Sequence, residues 1–485
     1  MSIQIYNTQS RSKEEFVPVH KGEVRMYVCG PTVYDFLHIG NYRGAIFFNL
    51  VRNWFEKSGY SVKYVYNYTD VDDKIINRAN DEGVTAEDIS KKYIAEFEKD
   101  YSYLKLRPHT ANPKVSEHME DIIEIIEGLI ENNKAYAVDG DVYYAVQSFE
   151  EYGKLSNKKI DEMQEGHRIE VDSRKKHPAD FALWKKAKDG EPSWKSPWSD
   201  GRPGWHIECS AMSRALLGDT LDIHGGGLDL VFPHHENEIA QSEGCTGHQY
   251  VKYWMHNNML EFGNQKMSKS LGNVRTGRSF LEQYNGEILK YMMLSAHYRS
   301  TIDFSEDPVN RAIQALARFY SALALAKTNM DKGGALAPVP EKFQKLLDEQ
   351  SDKIKDALDD DFGTPEVFAA LFEVVREFNK QVRRPGKPND AMIATSEVFY
   401  HWIISQGEVM ALFSEPAAEF LKALDDMLLD QKSLKREEID KLVAQRAQAR
   451  ADKDFAASDE IRDQLIDLGI AVMDAADGST WEVAK

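Results

Sequence analysis

The chain has 485 residues, 42% of them hydrophobic and 29% charged, and a formal net charge of -19. This length exceeds what one hydrophobic core normally supports, so about three domains are expected. The acidic balance argues against a general nucleic-acid binder, although a local basic surface could still contact RNA. The amino terminus shows no secretory pattern, and no apolar run approaches the roughly 18 residues of a membrane helix. We therefore expect a soluble, cytoplasmic protein without membrane contact.

The first segment has the alternation of strands and helix that predicts a parallel sheet. Residues 24–28 form a strand-like run that ends in the breaker Cys29-Gly30-Pro31. Helix-compatible sequence follows over residues 40–54, and a second strand-like run covers residues 62–68. Ligands bind at the carboxyl ends of the strands in such sheets. Polar positions that follow these strands are expected at that edge: Cys29, His38 and Thr69-Asp70.

The rest of the chain predicts an insertion and two further units. The insertion covers about residues 105–200, where a helical segment and a strand-like segment precede a long polar stretch. Beyond about residue 308 apolar residues recur at helical spacing, and the chain ends in a β-compatible tail around Trp481. The predicted boundaries are 1–307 for an α/β domain, 308–424 for a helical bundle and 425–485 for a small last domain.

A helix start follows the first strand at His38-Ile39-Gly40-Asn41. The first N–H groups of a helix and the positive end of its dipole suit a phosphate. His38 and Asn41 are three residues apart and can face one ligand, while Gly40 allows that ligand to approach the backbone closely. Taken alone, a His-x-Gly turn is usually an ordinary loop.

A second candidate for phosphate binding is the glycine-flanked loop that contains Lys266-Met267-Ser268-Lys269-Ser270. Lysine acts as a point charge on phosphate oxygens. A loop of this kind can close on a triphosphate and open again for product release. The alternative interpretation is an exposed, solvated lysine loop without a ligand. This interpretation does not account for the presence of both motifs, one after the other, in the same chain.

Four residues form a candidate metal site. His234 and Glu238 are four apart at a predicted helix start, so they share one face. An odd, sparse set of three cysteines does not predict a disulfide framework. Two thiolates, an imidazole and a carboxylate make a reasonable zinc site. The predicted ligands are Cys29, Cys209, His234 and Glu238, with His235 as the rival imidazole, and each of them also has an ordinary structural explanation.

In combination, the two phosphate-binding motifs and the metal set resemble the cysteinyl-tRNA synthetases, a family of class I aminoacyl-tRNA synthetases. The resemblance covers nearly the whole chain and is strongest over residues 27–44 and 204–273. Asn41 replaces the final histidine of the general class pattern, and asparagine is the form of this subfamily. The resemblance implies a Rossmann-type doubly wound parallel sheet in the catalytic domain, with a stem-contact region over about residues 260–307. It also implies a helical domain and a C-terminal anticodon-side domain, where Trp481 either stacks a base or packs in the core.

The resemblance implies that L-cysteine is activated with ATP and then transferred to the 3′ end of tRNA(Cys) by a monomeric enzyme. It implies one Zn²⁺ per chain and Mg²⁺ with ATP. The implied catalytic residues are His38, Asn41, Lys266 and Lys269. These four also bind ATP, together with Gly40, Gly225 and Asp229. The residues that would frame the cysteine substrate are Thr69, Trp205 and His224.

Zinc would explain how such an enzyme selects cysteine over serine. An apolar pocket separates near-isosteres by only about 10²-fold, whereas Zn²⁺ strongly prefers a thiolate over a hydroxyl. Four protein ligands already complete a tetrahedron, although open sites usually have three. A substrate thiolate would therefore make the metal five-coordinate or loosen one ligand.

Three other functions fit parts of the sequence. A ligase that joins cysteine to an amino sugar shares the adenylating core and the zinc, but it lacks the C-terminal extension present here. A non-enzymatic zinc protein that binds nucleic acid gives no reason for the two phosphate-binding motifs. A nucleotidyltransferase with a similar His-x-Gly turn would not need the metal set.

Overall fold

The protein is described by a computed structural model that covers residues 2–160, 173–262, 265–266, 276–333, 337–383, 387–475 and 478–485. For residues 262, 265, 266 and 475 it describes the backbone alone. Within these ranges, no helix is both long enough and apolar enough to cross a membrane.

The first half of the chain alternates strands and helices. In chain order its elements are β1 (Gln4–Asn7), β2 (Ser12–Glu15), β3 (Glu23–Val28), α1 (Asn41–Lys57), β4 (Ser61–Tyr66), α2 (Asp73–Glu82), α3 (Ala86–Tyr103), α4 (Met119–Glu131), β5 (Ala135–Val138), β6 (Asp141–Tyr144), β7 (Phe181–Lys186), β8 (Gly201–Pro203), α5 (Ile207–Leu217), β9 (Leu221–Gly227), α6 (Glu236–Thr246) and β10 (Val251–Asn257).

A four-stranded parallel sheet with the order β10-β9-β3-β4 forms the centre of this half. Helix α1 packs on β4, β9 and β10, whereas α5 packs on β3 and β4 and also contacts α6. This arrangement is the predicted doubly wound α/β fold. The strand order reverses between β3 and β9, so a crevice opens at their carboxyl ends. Tyr27 pairs with His224 and Val28 with Gly225 at this point.

The insertion builds a separate antiparallel sheet with the order β5-β6-β7-β8. Helix α4 joins it to the central fold by packing on α5 and α6. The Glu236 carboxylate, at the start of α6, accepts hydrogen bonds from the backbone N–H groups of Gly153, Leu155 and Ser156. This buried carboxylate therefore ties a turn of the insertion to the helix that also holds Glu238.

The second half is mainly helical. Its elements are β11 (Leu260–Phe262), β12 (Gln265–Lys266), α7 (Gly277–Leu281), α8 (Gly286–Leu294), β13 (Ile302–Asp303), α9 (Glu306–Asp331), α10 (Glu341–Asp359), α11 (Thr364–Val382), α12 (Asp390–Met410), α13 (Ala417–Gln431), α14 (Arg436–Ala451), α15 (Phe455–Asp467), β14 (Ile470–Ala475) and β15 (Gly478–Val483). Helices α9 to α13 pack on one another. Their apolar residues belong to the same hydrophobic cluster as those of α1, while α14, α15 and the last hairpin enclose a small cluster of their own.

Trp481 lies in the last hairpin. Its Nε1 donates to Asp440 Oδ1 at 2.7 Å, and the Arg436 guanidinium lies 4.5 Å from its ring centroid. Its ring packs against the small C-terminal cluster. Of the two alternatives from the sequence, the structure therefore supports a packing role.

Candidate active site

The four predicted metal ligands converge at the crevice between β3 and β9. Cys29 follows β3, Cys209 lies in α5, and His234 and Glu238 come from the turn before α6 and from α6 itself. The Cys29 and Cys209 Sγ atoms are 3.7 Å apart, and Cys29 Sγ lies 3.6 Å from Glu238 Oε1. His234 Nε2 is 3.1 Å from the same carboxylate oxygen. Four donors from distant parts of the chain thus meet at one point.

These spacings fit a tetrahedral zinc ion. Two thiolates at the usual bond length of about 2.3 Å from zinc lie about 3.8 Å from each other, close to the separation of the two sulfur atoms here. All four donor atoms lie within 4.8 Å of one another. The donor set of two thiols, an imidazole and a carboxylate also has the chemistry that zinc prefers.

The buried acid and base groups of the cluster shift one another's pKa values. Burial alone would lower the pKa of His234, but the charge of Glu238 and the hydrogen bonds that the ring donates to Cys209 and Glu238 raise it to about 10. Burial would raise the pKa of Glu238, yet His224 and His234 hold it well below its usual range. A hydrogen bond from Cys29 lowers the pKa of the Cys209 thiol to about 6. Burial and the neighbouring Cys209 raise the pKa of the Cys29 thiol well above its usual range, so the positive charge beside Glu238 comes from its histidine neighbours.

A second layer of contacts fixes the orientation of these groups. Glu238 Oε2 lies 2.8 Å from His224 Nε2 and accepts a hydrogen bond from the Tyr250 hydroxyl at 3.1 Å. His234 Nδ1 is 3.0 Å from His206 Nδ1. One carboxylate oxygen is thus held away from the sulfur atoms while the other faces them, as is common for ligands of a metal.

His235 is close enough to compete for the same place. Its Nε2 lies 3.4 Å from Cys29 Sγ and 3.9 Å from Glu238 Oε1. A second possible set of four ligands therefore consists of Cys29, His224, His235 and Glu238. On its other side, His235 Nδ1 is 2.8 Å from His256 Nε2. The two sets share Cys29 and Glu238. The first set adds Cys209 and His234, whereas the second adds the two imidazoles of His224 and His235.

The residues expected to frame cysteine lie at different depths around this cluster. Trp205 is 42% exposed, and its ring centroid is 4.5 Å from that of His234. Thr69 is buried, and its hydroxyl donates to Glu208 Oε2 at 3.1 Å. His224 is completely buried behind Glu238. Trp205 thus covers the cluster from the solvent side, whereas His224 supports it from inside.

The first candidate phosphate-binding motif lies at the start of α1, where the sequence predicts a helix to begin. Gly40 is the residue before the helix, Asn41 is its first residue, and the Asn41 N–H donates to the His38 carbonyl at 2.9 Å. His38 is exposed and forms a backbone bridge with Thr276. For the second motif, the structure describes only the backbone of Lys266, which lies in β12. Lys269 lies outside the described residues.

Gly225 and Asp229 occupy different environments at the end of β9. A Cβ atom on Gly225 would lie 2.2 Å from Phe48 Cζ of α1, so the packing of helix on sheet requires glycine here. Asp229 lines a cavity of about 520 Å³ together with Phe232, His256 and other residues. His256 is also the partner of His235, so the cavity borders the candidate metal site.

Sequence reasoning missed several members of this site. His206, Glu208, Tyr250 and His256 were not predicted, although each contacts a predicted residue or its neighbour. Two of them, His206 and Glu208, lie within three residues of Cys209, and this proximity is the one signal in the sequence that could have indicated them.

Three family profiles match the chain in order. The tRNA synthetases class I (C) catalytic domain matches residues 15–314, the DALR domain matches residues 353–414, and the cysteinyl-tRNA ligase anticodon binding domain matches residues 436–481. Among curated proteins, the chain is 56% identical to the cysteine–tRNA ligase of Bdellovibrio bacteriovorus and 48% identical to that of Pelobacter propionicus. Both comparisons cover 100% of each chain.

Solved structures with a similar fold are more distant in sequence. Methionyl-tRNA synthetase from Mycobacterium tuberculosis, solved with methionyl-adenylate, superposes with a TM-score of 0.59 at 14% identity, covering 84% of this chain and 93% of that one. A putative arginyl-tRNA synthetase from Campylobacter jejuni gives a TM-score of 0.54 at 15% identity and covers 82% and 94%. These neighbours establish the class I synthetase fold, and the close relatives establish the family. The chain belongs to the cysteine–tRNA ligase family of class I aminoacyl-tRNA synthetases.

Proposed function

We propose that this protein activates L-cysteine with ATP, forming cysteinyl-adenylate and pyrophosphate, and then transfers cysteine to the 3′ end of tRNA(Cys). The observation that carries this proposal is the thiol-rich cluster of Cys29, Cys209, His234 and Glu238 at the carboxyl ends of β3 and β9. It occurs in a chain that is similar over its full length to cysteine–tRNA ligases.

The activation step needs positioning and charge stabilisation rather than a general base. The carboxylate of cysteine is already an anion near neutral pH, so its oxygen can attack the α-phosphorus of ATP directly. We assign His38 and Asn41, at the start of α1, to the α-phosphate and ribose side, with Gly40 leaving room for the nucleotide. Lys266 and Lys269 would stabilise the leaving pyrophosphate, and Mg²⁺ would accompany ATP.

The amino-acid side of the site is proposed to consist of Thr69, Trp205 and His224. Trp205 would cover the substrate, Thr69 would contact its backbone, and His224 would hold Glu238 in place. On the nucleotide side, Asp229 lines the neighbouring cavity and would approach the adenosine. Gly225 would contribute by keeping α1 close to the sheet.

One Zn²⁺ ion is proposed to be held by Cys29, Cys209, His234 and Glu238. Bound there, zinc would supply a strong preference for a thiolate over the hydroxyl of serine. The buried contacts of Glu238 with His224 and Tyr250 would keep this carboxylate oriented, whether or not a substrate is present.

The remaining parts of the chain are assigned by the same proposal. Residues 1–307 would form the catalytic domain, with the insertion at about residues 105–200 and the stem-contact region at about residues 260–307. The helical bundle over residues 308–424 would connect it to an anticodon-binding unit over residues 425–485. We propose a monomer that works in the cytoplasm, where tRNA is charged for translation.

The test is charging of total bacterial tRNA with labelled cysteine in the presence of ATP and Mg²⁺, with serine as the control substrate. We expect alkali-labile label on tRNA with cysteine only. If cysteine drives exchange of pyrophosphate into ATP but no tRNA is charged, the activation step is correct and tRNA(Cys) is not the acceptor of cysteine. The amino-sugar ligase would then be the alternative, although the match to an anticodon-binding domain does not favour it.

A further inference from the structure

The turn before α1 is held by residues at the start of α7. Thr276 forms a backbone bridge with His38, and the Gly277 N–H donates to the Leu37 carbonyl at 2.8 Å. A Cβ atom on Gly277 would lie 2.0 Å from Cε2 of the Tyr42 ring, so Tyr42 of α1 packs directly on this backbone. The start of α7 and the turn before α1 are therefore packed together as one unit.

Arg278, the second residue of α7, reaches across to the same turn. Its guanidinium carbon lies 5.3 Å from the centroid of the Phe36 ring. Its Nε donates to Asp100 Oδ1 at 2.6 Å, and its Nη2 donates to Glu96 Oε2 at 2.6 Å. The two carboxylates are four residues apart on α3, so they lie on one face of that helix. The guanidinium thus binds α3 through its N–H groups and Phe36 through its planar face.

Asp100 is shared between Arg278 and the first turn of α1. Its other carboxylate oxygen, Oδ2, accepts a hydrogen bond from the Tyr42 hydroxyl at 2.7 Å. Asp100 is buried, and hydrogen bonds to a charged group are stronger out of water than in it. Phe36 precedes the motif of residues 38–41 and Tyr42 follows it. The pair of Arg278 and Asp100 therefore holds this motif from both sides.

These contacts concern the nucleotide side of the site rather than the amino-acid side. The thiol-rich cluster is built from the residue after β3, from α5 and from the turn and helix at α6. Among the described residues, the hydrogen bonds and ion pairs of the Arg278 side chain all go to α3. A change at Arg278 should thus displace the turn that carries His38 and leave the cluster in place.

We infer that Arg278, paired with Asp100, is a positioning residue for His38 in the activation step. The pair fixes the turn before α1, so that His38 meets the α-phosphate of ATP in one geometry. Arg278 also follows the motif of residues 266–270 in the chain, so the same contacts tie the backbone after the second motif to the first. The inference rests on the proposed function and adds to it a residue that lies outside both motifs.

The experiment is cysteine-dependent ATP–pyrophosphate exchange, in which kcat and the KM values for cysteine and for ATP are measured separately. For Arg278→Gln we expect kcat to fall about 10- to 100-fold, because a small displacement of a catalytic group has an effect of this order. The KM for cysteine should stay within about twofold of the wild type, since the thiol-rich cluster is not touched. Arg278→Lys keeps the charge but not the planar fork, so it should recover part of kcat.

A second background shows whether Arg278 acts through His38. His38→Ala should itself lower kcat. Adding Arg278→Gln to it should lower kcat by less than about threefold more, because the group that Arg278 positions is already absent. Arg214→Gln is the matched control. Arg214 also pairs with two carboxylates, Asp219 and Glu124, but it lies in the last turn of α5, so kcat should not change.

The possible outcomes are distinct. An unchanged kcat in Arg278→Gln would overturn the inference. An equal fall of kcat in the wild-type and His38→Ala backgrounds, or a rise of the KM for cysteine as large as the fall of kcat, would also overturn it and assign Arg278 to general stability. Circular dichroism is measured for every variant. Should Arg278→Gln not fold, Asp100→Asn and Arg278→Lys in both backgrounds decide by the same criteria. If the wild-type protein shows no cysteine-dependent exchange at all, the proposed function itself fails.

Discussion

Two adjacent histidines are candidates for one position in the proposed metal site, and their partners distinguish them. His234 faces both Glu238 and Cys209, and its other ring nitrogen contacts His206. His235 is held on its far side by His256, and burial together with the charge of His224 keeps its pKa well below the usual range. Because His234 lies closer to the Glu238 oxygen, we expect it to be the ligand.

Replacement of each histidine by alanine tests this assignment. His234→Ala should lower zinc affinity by at least about 100-fold, because a direct ligand is lost, whereas His235→Ala should lower it by about tenfold, as contacts behind a ligand do. Zinc content is measured by mass spectrometry and affinity by competition with a chromogenic chelator. Retention of zinc in His234→Ala together with its loss in His235→Ala would reverse the assignment.

His109 makes stability depend on pH away from the active site. Its ring stacks on Tyr66 with centroids 4.6 Å apart, and its Nε2 lies 2.9 Å from the Tyr101 hydroxyl. Burial, helped by the charge of Arg52, lowers the pKa of His109 from 6.5 to about 3. The folded state thus keeps this ring neutral where the unfolded chain would protonate it.

The sign of the effect follows from this difference. Below about pH 6.5 the unfolded chain binds a proton at His109 that the folded protein does not, so stability falls by up to about 1.4 kcal/mol per pH unit as pH decreases toward the folded pKa. His109→Gln should reduce this slope when thermal unfolding is measured between pH 7 and pH 5. His248→Gln, at an exposed position, should leave the slope unchanged; equal slopes in all three proteins would contradict the prediction.

At the scale of elements, the contact of α1 with β9 gives Gly225 a packing role. The ring of Phe48 fills the space that a side chain at position 225 would need. Gly225→Ala should therefore destabilise the protein by about 1–3 kcal/mol through overpacking, and Phe48→Leu in the same chain should recover part of that loss. Denaturant unfolding measures both effects. A large rise in the KM for ATP without a loss of stability would instead indicate direct contact of Gly225 with the nucleotide.

The sequence predicted those elements that have a strong local signal. The strand that ends at Cys29 and the helix that starts at Asn41 follow from apolar runs bounded by glycine and proline. The hairpin of β1 and β2 and the helices α10 and α13 were not predicted. Helix α10 is mostly charged, and its few buried positions, among them Phe343 and Leu347, become informative only with its neighbours in place.

The active-site residues likewise divide into those with a local signal in the sequence and those without one. Cysteine, histidine and glutamate at ligand spacing are visible in the sequence, so the convergence of these four side chains could be predicted as a group. The contacts behind it could not, because Tyr250 and His256 come from β10 and its preceding loop and reach the cluster only through the order of strands in the sheet. Sequence spacing carries no information about which strand lies beside which.

At the scale of the whole molecule, Asp361 joins three parts of the chain. It lies between α10 and α11 and is completely buried. Its carboxylate accepts hydrogen bonds from the Tyr6 N–H at 2.9 Å, the Tyr298 hydroxyl at 2.6 Å and Arg299 Nε at 2.9 Å. The helical part is thereby connected to β1 and to the segment after α8, and Arg299 also lines the cavity near the proposed metal site.

Asp361→Asn keeps the shape of this side chain but removes its charge. The substitution should lower the free energy of unfolding by about 2–3 kcal/mol, because hydrogen bonds to a charged group are weakened. Cysteine-dependent ATP–pyrophosphate exchange should stay near the wild-type rate, since the proposed activation residues all lie before residue 280. Charging of tRNA should fall about tenfold, because the C-terminal unit is held relative to the active site through these helices.

Asp360→Asn is the matched control: its side chain is 61% exposed and pairs with Lys13, so both reactions should be nearly unaffected. An equal fall of both reactions in Asp361→Asn would mean that this carboxylate supports the catalytic part itself rather than its connection to the helices.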